Sequence, residues 1–391
     1  MKIAVIAPSG IPSRRANTIQ VMKMTQAFVE TGHDVRLAAP AKRGQVNFTV
    51  ANWQEISTHY GLTQEFQINW LPSIPAMRRY DYAWTGVRWA RAWGAEVIYT
   101  RLPQAAAFGS LIGATTILEM HDFPHGIMPS FLLRAFLKGK GAYRLVLISR
   151  ALEHDLQQTF RKFPGSPFTI VLADAVDLSR FAGLPEPGGA RRMLKSRLEE
   201  FACRTNSIFP IERFTAGYTG HLYAGRGISL ILALAESLPE INFLVIGGES
   251  EDADQLAGKI RGGGLRNLTL TGFIPNAELP LFQAACDVLL MPYQRKVAAS
   301  SGGDISRYLS PMKLFEYLAC GKAICSSDIP VLREVLSEEN AILLPPDDVK
   351  PWVEALKKLQ LDPRLGIALG REARRTADRY TWTERAMKIL G

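Results

Sequence analysis

The sequence predicts an α/β fold made of two consecutive parallel-sheet domains, and three observations carry that prediction. Short apolar runs bounded by turn residues alternate with helix-length segments, the pattern of parallel strands covered on both faces. The runs fall into two sets, separated by a Pro-, Gly- and charge-rich stretch from Gly183 to Arg213 that includes "GLPEPGGARR". The chain has 391 residues, more than one typical core uses. The first domain is expected over residues 1–185, the second over 210–373, and a closing helix over 374–391 is expected to return to the first.

Each element has a local reason. The first set of strands is "KIAVIAP", "DVRLAAP", "QINWLP", "EVIYTR", "TTILEMHD", "RLVLIS" and "FTIVLADAVD". After the first strand comes the turn "PSGIPSRRANT", then the helix "IQVMKMTQAFVETG", with Gly32 expected as its C-cap. The second set is "FTAGYTGH", "NFLVIGG", "NLTLTGF", "DVLLMPY", "KAICSS" and "AILLPP". The last segment, "RRTADRYTWTERAMKIL", has apolar positions at helical spacing and no strand after it, so it reads as a closing helix. No internal repeat of fixed period is present.

Composition narrows the function less than the fold. Hydrophobic residues at 47% and charged residues at 21% describe an ordinary globular chain rather than a disordered one. A formal net charge of +9 favours anionic neighbours: nucleotide phosphates, nucleic acid or an anionic membrane face. The four cysteines, Cys203, Cys286, Cys320 and Cys325, form no CxxC pair and no zinc spacing with the six histidines, so they read as reduced thiols of a cytoplasmic protein. The opening "MKIAVIAPSG" has a short apolar run stopped by Pro8 and is expected to be a strand rather than a signal peptide. No stretch reaches the roughly 18 apolar residues of a spanning helix.

Three stretches carry chemistry. In "YTGHLYAGRGIS" an apolar run meets glycines and one arginine before a helix, a geometry in which backbone N–H groups can approach an oxyanion. It is not a Walker A loop, because Gly225 is followed by Arg226 and Gly227 instead of Gly-Lys-Ser/Thr. An ordinary strand-to-helix turn with a solvated arginine remains the competing reading. The first turn has only Gly10 where a dinucleotide-binding unit has G-x-G-x-x-G, which argues against a dehydrogenase. Arg14, Arg15 and Asn17 still line a turn at a sheet's C-terminal edge, where ligands of open α/β sheets bind. In "SPMKLFEYLACG", Ser310 and Pro311 are expected as N-cap and first helical residue, with Gly321 ending the helix. Lys313 and Glu316 then share one face, either as a surface ion pair or as a phosphate-binding cation and a carboxylate for a ribose diol.

Together with "GHLYAGRG", "LVIGG" and "LTLTGFIPNAEL", that helix resembles the nucleotide-sugar domain of the retaining GT-B glycosyltransferases, the glycogen-synthase-like superfamily called group one or family four. The resemblance extends over nearly the whole chain, through "IAPSG", "EMHD", "LISRALEHDL", "LADAVDLSRF", "ACDVLLMPY" and "TWTERAMKIL". It implies two Rossmann-like domains facing an interdomain cleft. It also implies transfer of a sugar from a nucleoside diphosphate to a hydroxyl, in polysaccharide or glycolipid synthesis, with retained configuration and no metal or other cofactor.

Carried onto this sequence, the resemblance places the donor diphosphate on Gly220, His221, Arg226 and Gly227, and on the helix start at Ser310, Pro311, Met312, Lys313 and Leu314. Arg226 stands where the family has its lysine, and His221 where it usually has an arginine. Glu316 matches the second glutamate of the family's E-(seven residues)-E motif and would bind the ribose; the first falls on Tyr308, and Asp304 in the preceding loop could supply the missing carboxylate. Phe273 and Ile274 would pack on the base. His121 matches the active-site histidine, so that His121, Arg226 and Lys313 form the implied catalytic set. The acceptor, a sugar or a lipid-linked sugar, would lie near Gly10, Arg15, Asn17, Asp122 and the loop "HDFPHGIMPSF", which permits peripheral contact with the inner membrane face. No compact His/Asp/Glu cluster suggests a metal site. Three rivals stay open: a nucleotide-sugar 2-epimerase of the same architecture, a non-catalytic nucleotide-sugar sensor, and a nucleic-acid binder, the last lacking any RNA-binding motif or basic-aromatic stripe.

Overall fold

A computed structural model of the chain describes residues 1–41, 53–298 and 303–391. Seven strands form one sheet: β1 Lys2–Ile6, β2 Asp34–Ala41, β3 Gln67–Pro72, β4 Val97–Thr100, β5 Thr116–Met120, β6 Ala142–Leu147 and β7 Thr169–Val171. Their order is β3-β2-β1-β4-β5-β6-β7. Six form the other: β8 Thr215–Thr219, β9 Asn242–Ile246, β10 Leu268–Leu270, β11 Val288–Met291, β12 Ala323–Ser327 and β13 Ile342–Leu344, in the order β10-β9-β8-β11-β12-β13. Every strand pair is parallel. The expected fold class is therefore observed, with the strands where the apolar runs lie.

The chain divides into two compact units, Met1–Asp174 with Trp382–Gly391, and Ala175–Thr381. These limits differ from the expected 1–185 and 210–373. The stretch expected as a connection folds into the helices Pro187–Met193 and Lys195–Thr205, which belong to the second unit. Arg191 is the reason: it is buried, donates to the Ile211 and Ala285 carbonyls, and pairs with Asp287 at 2.8 Å. At the other end, the helix Pro363–Ala377 also stays in the second unit, where Arg374 donates to the Ala319 carbonyl at 2.7 Å. Only the helix Trp382–Leu390 returns to the first unit, burying Trp382, Arg385, Ala386 and Ile389.

Local corrections are small. The helix Ala16–Glu30 is capped by Thr31, and Gly32, one residue further on, takes the left-handed conformation (φ +86°). The second core packs β8, β9 and β11 against helices whose buried residues include Ile231, Leu234, Trp352 and Leu356. Gly217, in the middle of β8, faces Cys286 so closely that a Cβ there would lie 2.1 Å from its Sγ.

Gly217→Ala is therefore expected to lower unfolding free energy by about 1–3 kcal/mol, the usual cost of overpacking a core. Adding Cys286→Ala should recover part of that loss in a double-mutant cycle by denaturant unfolding; additive effects would show that the two positions do not clash.

Candidate functional site

In the second unit, β8 ends at Thr219 and the chain turns through Gly220–Gly227 into the helix Ile228–Ser237. Gly225 and Gly227 have φ of +83° and +81°. A Cβ on them would lie 2.0 Å from the Lys296 carbonyl oxygen and 1.7 Å from that of Pro292. Only glycine fits both the conformation and the space, so the loop presses directly on the segment after β11. Arg226 is held between these glycines. Its Nη1 donates to the Tyr293 hydroxyl at 3.2 Å, and its guanidinium lies 5.4 Å from that ring's centroid.

Lys313 reaches the same ring from the helix Met312–Cys320. Its Nζ is 5.3 Å from the Tyr293 centroid and 3.8 Å from that of Tyr218. Both cations thus rest on aromatic faces, an attraction that strengthens away from water. Neither forms an ion pair among the described residues, and the one carboxylate whose charge favours the Lys313 ammonium is that of Glu316. Lys313 Nζ and Arg226 Nε are buried and have no hydrogen-bond partner among the described residues. Burial, and then the positive charge of Arg226, push the Lys313 pKa well below its ordinary value. Glu316 does not form the surface ion pair with Lys313; it accepts from Gln283 Nε2 at 3.1 Å. It also lies within electrostatic range of Arg180, which donates to the Asn276 carbonyl.

The structure thus brings Arg226, Lys313 and Glu316 together and moves other expected residues. Pro311, not Ser310, is the N-cap, because its extended backbone (ψ 127°) delays the helix to Met312, and no side chain caps it. The N–H of Leu314, expected at the diphosphate, instead donates to the Pro311 carbonyl at 2.9 Å. Asp304 is exposed and turned into its own loop, where it accepts from the N–H groups of Val297 and Ser306, which lower its pKa. It is committed to loop structure rather than standing in for a glutamate. Tyr308 is buried at 7% exposure. Part of the glycine-rich loop before it, residues 299–302, lies outside the described residues. Ile274 is buried at 5% exposure and serves the core, whereas Phe273 is half-buried. His221 stacks on Tyr223, centroids 4.7 Å apart, and its carbonyl accepts from the Tyr218 hydroxyl at 2.6 Å. A Cβ on Gly220 would stand 3.0 Å from Lys313 Nζ, so that position too lines the cation's surroundings.

In the first unit, His121 follows β5. Its Nε2 lies 2.5 Å from Glu119 Oε1, and Glu119 is 1% exposed. Glu119 Oε1 also accepts from Gln20 at 2.7 Å, while Oε2 accepts from Arg385 at 2.9 Å and from the Tyr99 hydroxyl. Burial alone would raise the Glu119 pKa, yet Arg385 and His121 hold it well below the carboxylate range. Burial and the charge of Arg101 lower His121 to about 4, so its imidazole is neutral. Burial raises Asp174 to about 7. Asn17 donates to the Ser9 hydroxyl at 2.8 Å and shares a helix face with Gln20. Arg15 is the exposed N-cap of that helix, Gly10 lies in the turn before it, and Asp122 accepts from the Phe123 N–H.

Contrary to the expectation of no compact cluster, Glu119, His121 and Asp174 place possible ligand atoms within 4.8 Å of one another. Both Glu119 oxygens already accept from donors, and Arg385 supplies a compensating positive charge, so that carboxylate is held by protein partners. Sequence reading missed Glu119, Arg385, Tyr218, Tyr293, Gln283 and Arg180. Two of them left a trace: Glu119 is a carboxylate inside an apolar strand run, and Arg385 lies three residues after Trp382 on the closing helix's apolar stripe.

Comparison with known proteins fits this geometry. Residues 213–362 match the family described as glycosyl transferases group 1. The chain is a glycosyltransferase of GT-B architecture. It is 21% identical over 407 aligned positions to a phosphatidyl-myo-inositol mannosyltransferase of Mycolicibacterium smegmatis, covering 100% of this chain and 92% of that one. Its fold is similar to sucrose-phosphate synthase from Thermosynechococcus elongatus, with a TM-score of 0.73 at 16% identity, covering 100% and 97% of the two chains. It is also similar to Anabaena HepE solved with UDP and glucose, with a TM-score of 0.72 at 15% identity, covering 100% and 98%.

An anion placed beside Lys313 would raise its depressed pKa, so binding a nucleoside diphosphate should take up a proton between the free and bound pKa values. Within that window affinity falls as pH rises. Calorimetry in buffers of different ionisation enthalpy should show uptake in the wild type and none in Lys313→Met; equal buffer dependence would remove Lys313 from the linkage.

Proposed function

We propose that this glycosyltransferase moves a sugar from a nucleoside diphosphate to a hydroxyl of a sugar or lipid-linked acceptor, with retention of anomeric configuration, in polysaccharide or glycolipid synthesis. The observation that carries the reading is the pair of half-buried cations, Arg226 and Lys313, whose buried Nε and Nζ atoms lack hydrogen-bond partners among the described residues, beside an uncapped helix start. Unpaired donors held in place cost no reorganisation when charge builds on a departing phosphate. The bond between the anomeric carbon and the phosphate oxygen breaks, a bond to the acceptor oxygen forms, and the acceptor proton passes to the leaving diphosphate. Arg226, Lys313 and the Met312 N–H stabilise that diphosphate, so the reading invokes no metal. Glu316 holds the ribose hydroxyls and Phe273 packs on the base. His121 hydrogen-bonds the transferred sugar, and Gly10, Arg15, Asn17 and Asp122 face the acceptor. The UDP and glucose in the HepE structure support such a donor, and the lipid in the mannosyltransferase's name supports such an acceptor.

The lipid side has its own observation. Among the described residues no helix is long and apolar enough to cross a membrane. The helix Ile127–Lys138 nevertheless exposes Ile127 at 91%, Met128 at 53% and Phe131 at 59%, with Arg134, Lys138 and Lys140 following. Apolar side chains next to cations suit an anionic membrane surface. Flotation with vesicles containing anionic lipid should recover the wild type and lose the double variant Ile127→Asp/Phe131→Asp; equal recovery of both would discard the contact.

Residue roles separate by kinetics. Arg226→Ala should weaken UDP binding about 10- to 100-fold, the loss of one or two charge-assisted contacts. Glu316→Ala should weaken donor binding, because ribose is held alike in ground and transition states. His121→Ala should lower kcat and kcat/KM together with nucleotide affinity little changed. Nucleotide titration beside transfer assays on the three variants checks this; wild-type donor binding without transfer to any acceptor would favour the sensor reading.

A further inference from the structure

His121 has been given a role in sugar transfer, and that role leaves open which of its ring nitrogens meets substrate and in which protonation state. The surroundings answer both questions. Nε2 faces Glu119 Oε1 at 2.5 Å, and no other described side chain bonds the ring. Glu119 Oε1 also accepts from Gln20, whose own Oε1 accepts from Arg101 at 3.0 Å. Oε2 accepts from Arg385 and Tyr99. Arg385 is fixed in turn by donating to the Ala173 and Leu172 carbonyls at 2.9 and 3.2 Å. Every donor is directed at the carboxylate, so the proton shared between Glu119 and His121 belongs to Nε2.

We propose that Glu119 is the positioning residue of the transfer site: held by Arg385, Tyr99 and Gln20, it takes the Nε2–H of His121 and leaves Nδ1 as a hydrogen-bond acceptor for a substrate hydroxyl. The proposal rests on the reading of His121 as a sugar-transfer residue and decides between its two possible contacts. A lone pair on Nδ1 accepts from a sugar O–H and repels a phosphate oxygen, which can only accept. The charged and titratable groups facing the ring are Glu119, Arg385, Arg101, Asp174 and Tyr99, and the buried ion pair of Glu119 with Arg385 leaves no net anion to charge the imidazole. The helix Trp382–Leu390, last in the chain, therefore reaches the site through one side chain.

The test is 15N NMR of histidine-labelled full-length protein, with His121→Gln identifying the signal. At pH 7 the wild type should show His121 neutral, protonated at Nε2 and bare at Nδ1. A neutral ring protonated at Nδ1, or an imidazolium, overturns the proposal without any further variant. In Glu119→Gln the amide oxygen is claimed by Arg385 and Tyr99, so the NH2 group must face His121 and donate to Nε2. That variant should switch the ring to the Nδ1–H tautomer and cut kcat at least tenfold, with UDP affinity within twofold of wild type. A switched tautomer with wild-type kcat would show Glu119 to be structural only and overturn the role. Failure of the transfer reading itself would appear differently, as a wild type with no turnover.

Discussion

Both sheets are parallel throughout, and that constraint determines where chemistry can gather. A parallel strand ends at the same edge as its neighbours, and the following helix begins there with free N–H groups. His121 follows β5, Gly220 follows β8, and the segment holding Tyr293 follows β11, so residues far apart in sequence reach common edges of their sheets. Arg226 and Lys313 meet over one tyrosine ring for this reason, although 87 positions separate them. No local sequence feature could have brought them together.

The two units treat buried charge in opposite ways. In the first, Arg385 and Glu119 compensate each other, with Tyr99 and Gln20 using the remaining acceptor positions. Such a network is closed: removing one partner strands a charge. In the second, Lys313 Nζ rests on aromatic faces without a hydrogen-bond partner among the described residues, and burial together with the charge of Arg226 lowers its pKa, an arrangement that costs folding free energy. A cost of this kind is offset when an anion arrives. The closed network therefore suits holding a neutral imidazole still, and the open one suits receiving phosphate.

The sequence made the sheets legible because burial on both faces writes strands as apolar runs, and glycine marked the loop after β8 because Gly225 and Gly227 approach backbone. Boundaries were harder. Arg191 made the stretch after Gly183 look solvated, yet its guanidinium is buried on carbonyls and Asp287, and this fixes those helices to the second unit. Asp304 misled for a related reason: a carboxylate near a candidate site looks functional until its backbone partners are seen. Tyr218 and Tyr293 drew no attention in the sequence, since only the fold reveals that cations lie over them.

One departure from the family pattern becomes intelligible in this light. His221 stands where the resemblance expects an arginine, and its ring is stacked on Tyr223 at an interplanar angle of 5°. The position nonetheless still serves the site through its backbone, because the His221 carbonyl accepts the Tyr218 hydroxyl and so fixes the ring on which Lys313 rests. A side-chain cation has been exchanged for an orienting carbonyl, and Arg226 and Lys313 are left as the two cations beside the loop. Charges partly withdrawn from water interact more strongly, since interaction energy scales inversely with the local dielectric. The glycine at 220 belongs to the same arrangement: a Cβ there would stand 3.0 Å from Lys313 Nζ, close enough that the ammonium would have to shift by a few tenths of an ångström.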